Sequence, residues 1–291
     1  MVNDFLNYLE AERRFSSNTI IAYSSDLNQF FDFITNNFEK LSLNQIQSNH
    51  VRAWIAFLFS NKITAKAIRR KISSIKAFFK FLLMKGEIDN NPCLKLTSPK
   101  VPKRLPDFIS ENQMLSLLEA NRFTDDFIGL RTRLIIEFFY NLGIRRAELM
   151  GIQIGDINFY KLELKVLGKR NKERIIPFSE NMLPILNQYL AKRKAFENEN
   201  DFLFISEKGL QISESAIYKC VKSHLTGLVS NNKKSPHILR HTFATHLINS
   251  GADINAVKEL LGHSSLAATQ VYTHNSVEKL KKVYKSAHPR S

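Results

Sequence analysis

Between Asn91 and Pro106 the run NPCLKLTSPKVPKRLP holds four prolines spaced among basic residues, and no other feature limits the possible folds as much. Each proline lacks an amide donor and pushes the residue before it out of the helical region, so neither a helix nor an inner strand runs through this stretch. The segment reads as an extended linker over 91–106 that joins two units, residues 1–90 and residues 107–291. At 291 residues, 44% of them hydrophobic, the chain has enough apolar material to bury a core in each.

Before the linker the pattern is helix after helix. Ser17 is a candidate cap for a helix over 18–36, Val51 to Phe59 is apolar at helical spacing, and Thr64 is a candidate cap for a helix running to about Lys85. In that last helix Ile68, Ile72, Ile75, Phe79 and Leu82 recur in steps of three and four and define a face to be buried. Lys66, Arg69, Lys76 and Lys80 form a basic stripe at the same spacing, beside Arg70, and no acidic residue stands between Glu39 and Glu87 to neutralise it. Such a helix suits a DNA groove, where phosphate neutralisation drives binding; a solvated helix face is the alternative.

The whole chain shares the bias. Its 42 lysines and arginines against 27 acidic residues give a formal charge of +15, which favours a polyanionic partner over a merely solvated or membrane-facing surface. Cys93 and Cys220 lie far apart and outside any Cys-x-x-Cys pair, so neither a disulfide framework nor a zinc ribbon is expected. The first ten residues carry Asp4 and Glu10 where a leader would be basic, and no apolar run is long enough to span a bilayer. A soluble, cytoplasmic protein without a membrane partner is expected.

After the linker, Ser110 with Gln113 has the form of a capping box, and further helices are interrupted by one alternating segment, Leu162 to Leu167, a polar turn, and Arg174 to Pro177. The fold class expected is therefore mainly α with a small β-sheet or hairpin. In NLGIRRAELMGI, Gly143 suits a left-handed helix end and Arg145 and Arg146 open the next helix, where free backbone N–H groups favour a phosphate. Glu148, three residues after Arg145, is placed to hold its guanidinium; a purely structural pair is the alternative. The turn GKRNKER offers Lys169 and Lys172 as proton donors to a leaving oxygen, or as ordinary solvated lysines.

In SPHILRHTFATHL, Ser235 and Pro236 open a helix and set His237 and Arg240 in its first turn. His237, His241 and His246 are spaced by four and five with no carboxylate or cysteine cluster, which argues against zinc. Gly262 closes a short helix beginning near Asp253, His263 follows at once, and Tyr272 lies nine residues further on. A lone tyrosine is usually a core or rim residue; the cations and imidazoles before it make this one a candidate nucleophile.

In order and spacing, GIRRAEL, GKRNKER, HILRHTFATHL and LLGHSSLAATQVYTH resemble the motif set of the tyrosine recombinases, or phage integrase family, especially its Xer branch. RRKISSIKAFFKFL resembles the family's core-binding domain, and the ending KSAHPRS resembles Xer C-termini. The resemblance implies a two-domain DNA clamp and, position by position, a catalytic set of Arg145, Lys169, His237, Arg240, His263 and the nucleophile Tyr272. Lys172 remains the alternative for the lysine because the turn is short, and Arg170 departs from the glycine many relatives carry.

The family's chemistry needs no metal or nucleotide, so no cofactor is expected. The resemblance further implies double-stranded DNA as substrate and a homo- or hetero-tetramer on two DNA sites. It also brings in a second recombinase, a DNA translocase of the FtsK type, and a C-terminal tail exchanged between subunits. Resolution of chromosome dimers is the expected role, with an integrase or invertase of a mobile element or promoter as the alternative. The chain opens almost directly on the core-binding helices, so the arm-binding domain of many phage integrases is not expected.

Overall fold

The computed structural model describes residues 1–38, 41–97, 99, 108–168, 172–196, 201–229, 234–262 and 274–290. By its internal packing the chain divides into two compact units, Met1–Arg104 and Leu105–Ser291.

The N-terminal unit consists of α1 (Val2–Ala11), α2 (Ser17–Asn37), α3 (Ser48–Ser60) and α4 (Ala65–Met84). Thr64 caps α4 as its sequence suggests, its hydroxyl accepting from the Ala67 amide at 3.3 Å. The cap of α2 is Ser16 and not Ser17; Ser16 keeps an extended backbone and bonds the Thr19 hydroxyl at 2.9 Å. Two adjacent serines are equally good caps locally, and the sequence alone does not separate them. Ile68, Ile72, Ile75, Phe79 and Leu82 are all buried, on the face their spacing defines. Aromatic edges fill the space between helices: Phe30 meets Trp54 at 5.2 Å and 74°, and Phe5 meets Phe78 at 5.4 Å and 74°. Each such pair adds roughly 1 kcal/mol beyond its buried area.

The second unit is built around α6 (Phe127–Leu142), which follows the short α5 (Glu111–Leu117). Its buried positions run right round the helix, from Phe127 through Leu134, Ile135, Ile136, Phe138 and Phe139 to Leu142, the pattern of a helix enclosed by others. It is followed by α7 (Arg146–Gly151) and by strands β1 (Ile157–Asn158), β2 (Glu163–Leu167) and β3 (Glu173–Pro177). Helices α8 (Leu183–Arg193), α9 (Glu214–His224), α10 (Pro236–Asn249), α11 (Ile254–Leu260) and α12 (His274–Ala287) complete it. The Ser110–Gln113 capping box is present, with the Gln113 amide bonding the Ser110 hydroxyl at 3.3 Å.

The strands form an antiparallel sheet in the order β1-β2-β3, with Leu164 opposite both Ile157 and Ile176 and Val166 opposite Arg174. The β2–β3 hairpin is the one the alternation predicts, while β1, two residues long, is too short to show any period.

Helix α12 buries Leu280, Tyr284 and Ala287, and His288 beyond it, within its own unit. Lys281 reaches Glu163 at 2.7 Å and the Lys161 carbonyl at 3.0 Å, and Arg290 lies 3.3 Å from the buried Glu137. The family resemblance implies a tail exchanged between subunits; in the single chain Leu280, Tyr284 and Ala287 are covered in cis. An amphipathic stripe reveals that it needs cover but not whose surface provides it.

Candidate active site

Three arginines distant in sequence converge on one carboxylate, starting from the end of α6. Gly143 takes the left-handed conformation at φ 56°, and a Cβ there would fall 2.4 Å from the Phe243 ring, so only glycine makes this turn. The turn turns the Gly143 carbonyl toward Arg240 of α10, whose Nη1 donates to it at 2.5 Å. Arg145 then serves as N-cap of α7 with extended backbone. Glu148, at the third helical position, accepts from the Arg145 amide at 2.7 Å and from its Nη1 at 2.7 Å.

Arg174 on β3 grips the same carboxylate from the other side with both terminal nitrogens, at 2.9 and 2.8 Å, and Arg240 stands 3.9 Å away. One negative charge is thus shared by three guanidiniums, leaving a formal surplus of two positive charges.

The end of α11 supplies the remaining acceptors. The last carbonyls of a helix lack intrahelical donors and carry the negative end of its dipole. Here three in succession are taken by the same three arginines: Leu260 by Arg174 Nε at 3.0 Å, Leu261 by Arg240 Nη2 at 2.6 Å and Gly262 by Arg145 Nη2 at 2.9 Å. Asp253 fixes the other end of α11 by accepting from the Asn255 and Ala256 amides at 3.0 Å each.

Burial would raise the Glu148 carboxyl, but the bonds and charge of Arg174, then Arg145, bring it down to about 2. Burial, then the charge of Arg145, brings Arg240 down to about 10, which leaves it a cation at neutral pH. The side chains of Arg174 and Arg240 are only 4% and 10% exposed, whereas Arg145 is 35% exposed, so the cluster meets solvent through Arg145. Cations held by fixed acceptors in a dry setting stabilise developing negative charge without reorganising.

The structure brings together Arg145, Glu148 and Arg240. His237 is exposed in the first turn of α10, three residues before Arg240, and Lys172 is exposed at the entry to β3. Lys169, Arg170, His263 and Tyr272 lie outside the described residues. The described residues just before Lys169 and His263 abut the cluster: a Cβ on Gly168 would stand 3.5 Å from Arg174 Nη1, and one on Gly262 3.1 Å from the same atom. Of the histidines considered for a metal, His241 lies 3.5 Å from the Thr245 hydroxyl and His246 is buried with Nδ1 3.0 Å from the Tyr140 hydroxyl. Sequence reasoning missed Arg174. Its one signal is a charged residue at an inward position of an alternating strand, in step with Ile176.

On α4 the basic stripe divides. Lys66, Arg69 and Lys80 are exposed, whereas Lys76 donates to the Leu96 carbonyl at 2.7 Å. Arg70 pairs with Asp26 of α2, a fully buried carboxylate that also accepts from Lys71 at 3.0 Å and Ser74 at 3.1 Å. The local absence of acid around α4 is therefore offset across the helix pair: Arg70, though exposed, is paired with Asp26, and Lys76 is tied to a carbonyl of its own unit.

Residues 107–279 match the model of the phage integrase family, and residues 2–86 match that of the phage integrase N-terminal SAM-like domain. The chain is 39% identical over 288 residues to tyrosine recombinase XerC of Staphylococcus aureus (strain USA300), covering 99% of this chain and 96% of the relative. It is 33% identical over 317 residues to tyrosine recombinase XerC of Chlorobaculum tepidum, covering 100% and 94%. Among solved structures it resembles XerH site-specific recombinase bound to palindromic difH substrate in a post-cleavage complex, with TM-score 0.74 and 21% identity over 97% of this chain and 83% of that one. The chain belongs to the phage integrase family and is a tyrosine recombinase. Its full-length relatives place it with the Xer type.

Proposed function

We propose that this protein cleaves and rejoins double-stranded DNA at a specific site through a covalent 3′-phosphotyrosine formed by Tyr272. The Tyr272 oxygen attacks the scissile phosphorus, the bond to the 5′ oxygen breaks, and Lys169 gives the departing oxygen its proton, with Lys172 as the alternative donor. An unperturbed tyrosine has a pKa near ~10, so His237 and the surrounding cations assist loss of its proton. Arg145, Arg240 and His263 stabilise charge on the non-bridging oxygens as phosphorus becomes five-coordinate. The phosphotyrosine keeps the bond energy, and attack by a 5′ hydroxyl of a partner strand regenerates both DNA and tyrosine. A metal or nucleotide is not called on in this scheme.

The observation that carries this reading is the meeting of Arg145 and Arg240 at the end of α11, immediately before His263, with an uncompensated surplus of positive charge. Exposed Lys66, Arg69 and Lys80 on α4 extend DNA contact into the N-terminal unit, and the +15 charge suits a phosphate backbone. By likeness to the XerC relatives, the role is resolution of chromosome dimers through a Holliday junction, which serves chromosome partition at cell division. It is carried out in the cytoplasm by a homo- or hetero-tetramer on two DNA sites. A second recombinase and a translocase of the FtsK type are the partners this role calls for, and α12 leaving its own unit for a neighbour's is the link between subunits.

The test is covalent capture. Wild type and Tyr272→Phe are incubated with sheared genomic DNA, covalent complexes are recovered under denaturing conditions, and the attached ends are sequenced. The reading expects ends from wild type alone, concentrated at one chromosomal site. Ends scattered beside mobile elements or promoters favour an integrase or invertase, and no adduct from wild type contradicts the reading.

A further inference from the structure

We propose that Arg174 is a positioning residue for the strand-cleavage step, holding the proposed phosphate-binding cations in register without touching DNA; this rests on the reading of the site given above. It is buried, with its side chain only 4% exposed, so it is closed to a substrate. Nη1 and Nη2 fix the Glu148 carboxylate, and that carboxylate in turn holds the amide and the guanidinium of Arg145. Nε takes the Leu260 carbonyl, the first of the three consecutive carbonyls whose other two hold Arg240 and Arg145.

The same side chain packs where Gly168 leads into Lys169 and where Gly262 leads into His263. Its Cα faces Val166 across the hairpin, and the Gly168 amide closes the turn onto the Lys172 carbonyl at 2.8 Å. One guanidinium therefore borders the approaches to Lys169 and His263 and bonds the carboxylate that holds Arg145 and a carbonyl of the same helix end that holds Arg240. Lysine cannot replace it, because a single ammonium does not present two parallel donors to a carboxylate with a third donor in the same plane.

A buried ion pair that serves the fold alone is exchangeable in principle for well-packed apolar residues, so stability does not distinguish the two roles. Rate does. Displacing a catalytic group by about 1 Å costs on the order of 100-fold. The transition state gathers charge that the cations must meet, so a substrate lacking one negative oxygen depends less on their placement.

The experiment uses the full chain and a synthetic duplex carrying the site recovered by covalent capture, with either the natural phosphodiester or a neutral methylphosphonate at the scissile position. Wild type, Arg174→Lys and Arg174→Gln are compared for affinity, for thermal melting and for single-turnover adduct formation; Arg174→Gln serves if the lysine variant does not fold. The inference expects a folded variant of unchanged affinity, slower by about 100-fold on the phosphodiester and by less than about 10-fold on the methylphosphonate. Equal loss on both substrates, loss that only follows the folded fraction, or no loss overturns it. If wild type itself forms no adduct, the recombinase reading falls and this inference falls with it.

Discussion

The two units handle positive charge in opposite ways. On α4, Lys66, Arg69 and Lys80 are exposed, and a buried carboxylate, Asp26, engages Arg70 and Lys71 beside them. In the second unit the three arginines are tied to Glu148 and to three carbonyls of α11, and two of them are nearly sealed from water. Mobile, hydrated cations suit binding to a phosphate backbone, where release of counterions supplies the energy and position matters little. Fixed, desolvated cations suit a reaction, where a charge must already be in place when it is needed. On the proposed reading the same residue types serve affinity in one unit and rate in the other, and burial separates the two uses.

The largest effect expected is on stability. Glu148→Ala strands Arg174 and Arg240 without their counter-charge and should cost roughly 3–5 kcal/mol in denaturant unfolding of the second unit. Asp26→Ala should cost less, because its partner Arg70 is 45% exposed and can rehydrate, while Lys71 keeps Gln29 at 2.6 Å. Equal losses would break the contrast between the units.

Acid should act on the second unit as well. Burial, with His246 and Arg290 close by, brings His288 down to about 3 although its ring meets the Tyr140 carbonyl. The unfolded chain takes up this proton near pH 6.5 and the folded one does not. The stabilisation is therefore complete above that pH and is lost as pH falls toward 3. About 2 kcal/mol should disappear between pH 7 and 5, and His288→Gln should flatten the curve; an unchanged curve in that variant would show that His288 is not the group responsible.

Smaller effects sharpen the N-terminal half of the comparison. Thr64→Ala removes the α4 cap and should cost about 1 kcal/mol in that unit's melting. Lys66→Ala and Arg69→Ala should each weaken DNA binding a few-fold and lower its salt slope by about 0.9, whereas Lys76→Ala, whose ammonium is held by the Leu96 carbonyl, should leave the slope nearly unchanged. A full unit of slope lost with Lys76 would mean that its internal bond yields to DNA.

What the sequence makes legible follows the range of each interaction. The cap at Thr64, the buried face of α4, the Ser110–Gln113 box, the left-handed Gly143 and the Arg145–Glu148 pair are all written within four residues, and all are present. Arg174 is not legible in this way. Its meaning comes from a strand register and from Glu148, 26 positions away. The same holds for Arg70 and Lys76, whose partners Asp26 and Leu96 lie 44 and 20 positions off, so that only the fold shows them to be engaged within the unit. The residues made Lys169 and Tyr272 candidates only; their roles, and that of His263, rested on family resemblance, since no local rule marks a lone tyrosine as a nucleophile.

The measurement that bears most directly on the contrast between binding and reacting cations is affinity and single-turnover cleavage of one duplex by Arg240→Ala. The account predicts little change in affinity and a loss of cleavage of roughly 100- to 1000-fold. Affinity and cleavage falling by the same factor would contradict it, because the buried arginines would then be doing the work assigned to the exposed lysines of α4.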